Sequence, residues 1–131
     1  MKLPSKEQVA RVREEYPTGA RVELIRMEDM QAPPAGTKGT VKGVDDTGSI
    51  MVRWDNGSGL NVIYGEDIVR RIKTVTTICY GEQKVWDSRK DAEEFFLRAM
   101  FSSDGAERDR YSTIFLKLKE GREVASDDPD N

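Results

Sequence analysis

The strongest constraint on this chain is its punctuation between Ala20 and Ile72. Short β-rich runs of five to eight residues alternate with glycine-bearing turns, leaving no room for a long helix. The runs are "ARVELIRM", "TKGTVKGV", "SIMVRW", "LNVIY" and "GEDIVRRI". Within "SIMVRW", Ile50, Val52 and Trp54 fall on one face and Met51 and Arg53 on the other, the period of a half-buried strand. After the insert "DNGSG", Leu60, Val62 and Tyr64 share a face, so the two runs are expected to pair as a hairpin. A phosphate-cradling reading of that insert would need a helix start or a Lys/Ser pair behind it, and neither follows. Asp55 and Asn56 favour turn starts, and Gly57 and Gly59 supply positive φ.

A helix is predicted before these strands. In "PSKEQVARVREEYP", Ser5 and Gln8 have capping-box spacing, and Val9, Val12 and Tyr16 give a thin apolar face that Pro17 ends. From Thr74 onward the pattern changes. "VTTICYGEQKVWDS" reads as a hairpin, Val75–Tyr80 and Lys84–Trp86 around a "GEQ" turn. Ser88 then caps a helix with Ala92, Phe95, Phe96, Ala99 and Met100 at amphipathic spacing. "SDG" breaks it. A second helix follows with Tyr111, Ile114, Phe115 and Leu118 on one face and Gly121 at its end. The two helices are expected to lie antiparallel. The expected fold class is α+β: an N-terminal helix with a five-stranded small barrel over 1–72, a β-hairpin with two antiparallel helices over 73–125, and a disordered acidic tail over 126–131.

Residue counts exclude several chemistries. There is no histidine and a single cysteine, Cys79, so a disulfide within the chain, a Cys/His zinc site and a histidine-activated nucleophile are all excluded. Cys79 lies in an apolar run and reads as a small buried hydrophobe. No cofactor, metal site or catalytic residue is expected, and the chain is read as a non-enzyme. No apolar run nears membrane-spanning length and the N-terminus lacks an apolar leader, so a cytoplasmic location without membrane contact is expected.

Two candidate surfaces remain. Lys38, Lys42, Arg53, Arg70, Arg71 and Lys73 lie on or beside the first set of strands, with Trp54 and Tyr64 able to stack bases. The alternative is a core tryptophan amid ordinary surface charge. A net charge of −3 argues against a surface built wholly for phosphates. The second candidate is acidic. Asp91 and Glu94 are spaced i, i+3 on the expected outward side of the first of the two helices, with Glu93 nearby. Glu107, Asp109, Asp127, Asp128 and Asp130 are expected to extend the same half of the molecule. Arg108 and Arg110 sit in the first turn of the second helix, against its dipole, which suggests a binding role or intramolecular ion pairing.

The residues "YPTGARVELIRM", "PPAGTKGTVKGVDDTGSIMVRWDNG" and "EDIVRRI" resemble a small-barrel family of unknown function, Src-homology-3-like (SH3-like) and akin to the KOW modules of ribosomal and transcription factors. That resemblance implies nucleic-acid binding. "YGEQKVWDSRKDAEEFFLRAM" and "SDGAERDRYSTIFLKLKEG" resemble a small domain recurrent in conjugative-element proteins of gut Firmicutes. This second resemblance implies a mobile-element accessory protein. Because anti-CRISPR inhibitors of type II effector nucleases come from such elements, it also implies a CRISPR effector nuclease or its guide complex as the protein partner.

Overall fold

A computed structural model describes residues 3–129 and shows an α+β chain with three helices and two sheets among them. The chain divides into two compact units, Met1–Ile72 and Lys73–Asn131.

The first unit opens with α1, Lys6–Glu15. Ser5 Oγ accepts from the Gln8 amide at 3.2 Å and Gln8 Oε1 accepts from the Ser5 amide at 2.8 Å, a complete capping box. Five strands follow: β1 Arg21–Arg26, β2 Lys38–Val44, β3 Ser49–Trp54, β4 Val62–Ile63 and β5 Ile68–Arg71. They form one antiparallel sheet in the order β4-β3-β2-β1-β5. Alternation decides what is buried. Val22 and Leu24 of β1, Val41 and Val44 of β2, and Ile50, Val52 and Trp54 of β3 form one core with Val9 and Val12 of α1 and with Tyr16 at its C-terminal cap. Register shifts at Val41/Gly43 and Leu24/Arg26 mark bulges that bend β2 and β1.

The β3–β4 hairpin forms, but β4 is only two residues long. Its register sets Ile50 opposite Val62 and Ser49 opposite Ile63. Val62 is buried while Tyr64 is 54% exposed, so the face expected to run through Leu60, Val62 and Tyr64 stops at Val62. The chain turns away there, with the Glu66 and Asp67 amides donating to Ile63 O. In the insert, the Gly57 amide donates to Trp54 O, the Ser58 amide to Asn56 Oδ1 and the Asp55 amide to Lys38 O. Those amides are used inside the turn and its neighbouring strand.

The second unit contains β6 Val75–Cys79, β7 Glu82–Trp86, α2 Arg89–Phe101, α3 Gly105–Lys119 and β8 Val124–Ser126. Its turn is Tyr80–Gly81 rather than "GEQ". Cys79 pairs with Glu82, and both turn residues have positive φ, 51° and 78°. A two-residue hairpin turn of this kind matches the strand twist, and here it places a tyrosine where glycine or asparagine is usual. The third strand is an addition to the expected hairpin. β8 pairs parallel with β6, giving the order β7-β6-β8. Three residues with one buried side chain, Ala125, carry no readable period, so only pairing defines that strand.

The two helices cap each other. Arg89, in the first turn of α2, donates to Leu118 O at 2.8 Å and Gly121 O at 3.2 Å, at the end of α3. Arg108, in the first turn of α3, donates to Met100 O at 3.1 Å, in the last turn of α2, and to Ser103 O at 3.0 Å just beyond it. In an antiparallel pair, the N-terminus of one helix lies beside the carbonyl end of the other. A cation disfavoured by its own helix is therefore favoured by its neighbour. At the end of α3, the Gly121 amide reaches Leu118 O and the Arg122 amide reaches Lys117 O, a Schellman ending with Gly121 at φ 88°.

The end of the chain, expected as a solvated acidic tail, carries defined contacts. Lys117 is 7% exposed and its ammonium donates to Ser126 O and Asp128 O at 2.9 and 2.7 Å. Asp127 Oδ2 accepts from the Tyr80 amide at 2.8 Å and from Arg110 at 2.6 Å. Asp130 lies outside the described residues.

Candidate binding sites on the two units

The second unit holds a cavity of about 240 Å³ lined by Thr77, Cys79, Tyr80, Glu82, Lys84, Trp86, Phe95, Phe96 and Tyr111. Strand alternation turns Thr77, Cys79, Lys84 and Trp86 towards the helices. Trp86 lies 5.4 Å from Phe95 and 6.3 Å from Phe96, ring centre to ring centre, and Phe96 lies 6.2 Å from Tyr111. The Trp86 indole N–H donates to Thr77 Oγ1 at 2.9 Å, fixing the ring plane. The Lys84 ammonium sits 3.8 Å from the Trp86 ring centre, a cation–π contact at the rim.

Two titratable groups on the cavity wall, Cys79 and Tyr111, are pushed towards their neutral forms. Burial pushes the Cys79 thiol up, with the Asp127 carboxylate adding to it. The Tyr111 hydroxyl donates to Glu107 Oε1 at 2.8 Å and is pushed up to about 12, chiefly by that hydrogen bond. Neither group is an activated nucleophile near neutral pH. The chemistry on offer is apolar and aromatic contact, with the Glu82 carboxylate and the Lys84 ammonium at the rim.

None of the sequence-selected sites is this cavity, although one signal pointed to it. Adjacent residues on a helix diverge by about 100°, so Phe95 and Phe96 cannot both face one core. Phe96 is buried and Phe95 is 50% exposed, against the expectation that both lie on the buried stripe. Cys79 is half-buried on the cavity wall rather than fully inside the core.

The acidic candidates do not form one patch. Asp91 and Glu94 are exposed near the start of α2, while Glu107 and Asp109 are exposed at the start of α3. The antiparallel pairing sets Asp91 beside the end of α3, away from Glu107 and Asp109 at its start. Glu93 is not outward. Its side chain is 17% exposed and lies 3.4 Å from Lys119 of α3. Arg108 is engaged as the cap described above. Arg110 pairs with Asp127 and stacks 4.2 Å from the Tyr80 ring centre.

Among the basic candidates, Trp54 is 1% exposed and its indole donates to Leu60 O at 2.8 Å, so its ring offers no face to a base. Lys42, Arg53, Arg70, Arg71 and Lys73 are exposed and Lys38 is half-buried. Cross-strand pairing places Lys38 and Arg70 on either side of Glu23, which forms an ion pair with Arg70. Arg53 stands across from Thr40, which pairs in turn with Arg21, itself bound to Asp55 at 2.6 Å. Arg71 points to the other side of β5 from Arg70. Carboxylates therefore interrupt the basic row, and it is split between two faces.

Among the described residues, no group of three or more Cys, Asp or Glu side chains is placed to hold a metal ion. No helix among them is long and apolar enough to cross a membrane. Fold and cavity together define a two-unit α+β protein with a small aromatic recess. Residues 5–72 match the domain of unknown function DUF4314, and the chain belongs to that family. A comparison with curated proteins found no match.

Proposed function

We propose that this chain is a non-catalytic accessory protein that acts by binding another protein through the aromatic cavity of its second unit. The observation that carries this reading is the size and lining of that cavity. At about 240 Å³ it is smaller than the roughly 300–1,000 Å³ typical of small-molecule sites. It matches one large side chain of a partner, in the manner of an interface hot spot ringed by aromatic residues. The neutral thiol and phenol support a binding role over a catalytic one.

Within this reading the first partner to test is a type II CRISPR effector nuclease. The candidate comes from the resemblance of residues 80–121 to conjugative-element proteins, and the protein would then act as an anti-CRISPR inhibitor in the cytoplasm. The test is a plasmid-interference assay against a type II system, run beside a nuclease-treated pull-down. Phe95→Ala removes an exposed ring of the recess at little cost to folding. Inhibition and capture by the wild type, both lost in Phe95→Ala, are the expected result. Wild-type protein that neither inhibits nor captures the effector removes that partner. Capture of a partner unaffected by Phe95→Ala removes the cavity.

The second reading is nucleic-acid binding by the first unit, as a KOW-like module. It is favoured by the strand order β4-β3-β2-β1-β5 with its two bulges, which fits an SH3-like small barrel. Binding of this kind should weaken steeply between about 50 and 200 mM salt. It should also fall on changing Arg53 and Arg71 and ignore Phe95.

A further inference from the structure

We propose that β7 is a self-association edge, through which two copies of this chain pair antiparallel about a twofold axis at Gln83. The proposal stands on the backbone edge of β7; Glu82 and Lys84 also line the cavity, and the backbone variant Gln83→Pro, outside that lining, separates the two readings.

The order β7-β6-β8 leaves the outer side of β7 without a strand partner among the described residues. Glu82, Gln83, Lys84 and Val85 are exposed. The β6–β7 ladder runs without a bulge from Cys79↔Glu82 to Val75↔Trp86. A two-residue turn closes on a hydrogen-bonded pair, here Cys79 and Glu82, and the pairs then alternate. Gln83 and Val85 therefore turn their N–H and C=O groups outward. The usual guards of such an edge are proline, a bulge or a splayed lysine. β7 has neither proline nor bulge, and its lysine is folded onto Trp86, 3.8 Å from the ring centre.

The sequence of the edge decides what fits it. In Glu82-Gln83-Lys84 the charges are opposite about the central residue. A twofold axis at Gln83 sets the two Gln83 residues as a hydrogen-bonded pair. It then sets Glu82 of each copy opposite Lys84 of the other, in the closer, non-hydrogen-bonded positions where side chains meet. Moving the axis to Lys84 would oppose lysine to lysine, and parallel pairing in register would oppose Glu82 to Glu82. Only one of these three arrangements is charge-complementary, and its complement is a second copy of the same strand. Side chains of paired residues point to the same side of the sheet, so both helix layers lie on one side of the resulting six-stranded sheet.

Sedimentation equilibrium of the full chain from about 5 to 500 µM tests this, because so short a ladder implies a micromolar dissociation constant. The wild type should show a reversible monomer–dimer equilibrium. Glu82→Lys should weaken it about tenfold or more by opposing lysine to lysine. The double reversal Glu82→Lys with Lys84→Glu should return it to within about threefold of wild type. Gln83→Pro removes an outward amide without touching the β6 pairing, and it should abolish the dimer with an unchanged circular dichroism spectrum. A wild type that stays monomeric overturns the proposal. So does a dimer that ignores all three variants, or a double reversal as weak as the single one.

Discussion

Gly39→Ala should destabilise the first unit by about 2–3 kcal/mol, although Gly39 has ordinary extended backbone near the start of β2. A Cβ there would stand 2.6 Å from Val52 Cγ1, 2.8 Å from Trp54 Cε3 and 3.0 Å from Arg53 O. Unstrained carbon contacts lie at about 3.5–4.0 Å, so two side chains and a backbone oxygen would all have to move. Val52 is 0% and Trp54 1% exposed, and Trp54 is further pinned by its hydrogen bond to Leu60 O. The site therefore has little room to relax, which places the cost high in the roughly 1–3 kcal/mol range of overpacking. Loss of glycine's unfolded-state freedom returns about 0.4–1 kcal/mol and is already included. Urea unfolding followed by tryptophan fluorescence in a Trp86→Phe background isolates Trp54 as the reporter. For a unit of this size the change corresponds to a fall of about 10–20 °C in Tm. Gly59→Ala is the matched control, since its Cβ would meet nothing within 4 Å and its φ is not positive. A Gly39→Ala midpoint indistinguishable from that of Gly59→Ala would refute the close packing of β2 on β3.

Three further outcomes concern the second unit. The Tyr80 amide above all, against the opposing effect of burial and helped by the Arg110 guanidinium, holds the Asp127 carboxyl below the usual carboxylate range. A depressed carboxylate adds stability above its unfolded value of about 4, and that contribution is lost as pH falls through the lower folded value. The urea midpoint should therefore drop below about pH 4, and Asp127→Asn should flatten that slope while lowering the midpoint at neutral pH. Ultraviolet titration should find one tyrosine ionising near 12, and Glu107→Gln should return it towards about 10. Lys117→Met should cost about 1–3 kcal/mol by leaving Ser126 O and Asp128 O without their donor. Hydrogen exchange should then speed up at Val124–Ser126 before the rest of the sheet.

Local rules were enough for much of this chain. The Ser5–Gln8 box, the alternation in β3, the Ser88 cap of α2 and Gly121 at the end of α3 each depend on residues within a few positions of one another. The sequence by itself therefore determined the type and order of every element but β8, and the absence of histidine closed off whole classes of chemistry. Tertiary structure decided which of two equivalent-looking residues is buried. Phe95 and Phe96 have the same composition and neighbours, and only the position of β7 and α3 puts one inside and the other on a cavity rim. It also decided the meaning of charge. Arg108 looks misplaced within its own helix and makes sense only beside the carbonyl end of α2, and Glu93 turns inward to Lys119. β8 has no local signal at all, because a three-residue parallel strand exists only through a partner about fifty positions earlier. Periodicity reports a residue's relation to its own element. Burial, ion pairing and the recess between sheet and helices are relations between elements, and the packed chain alone sets those.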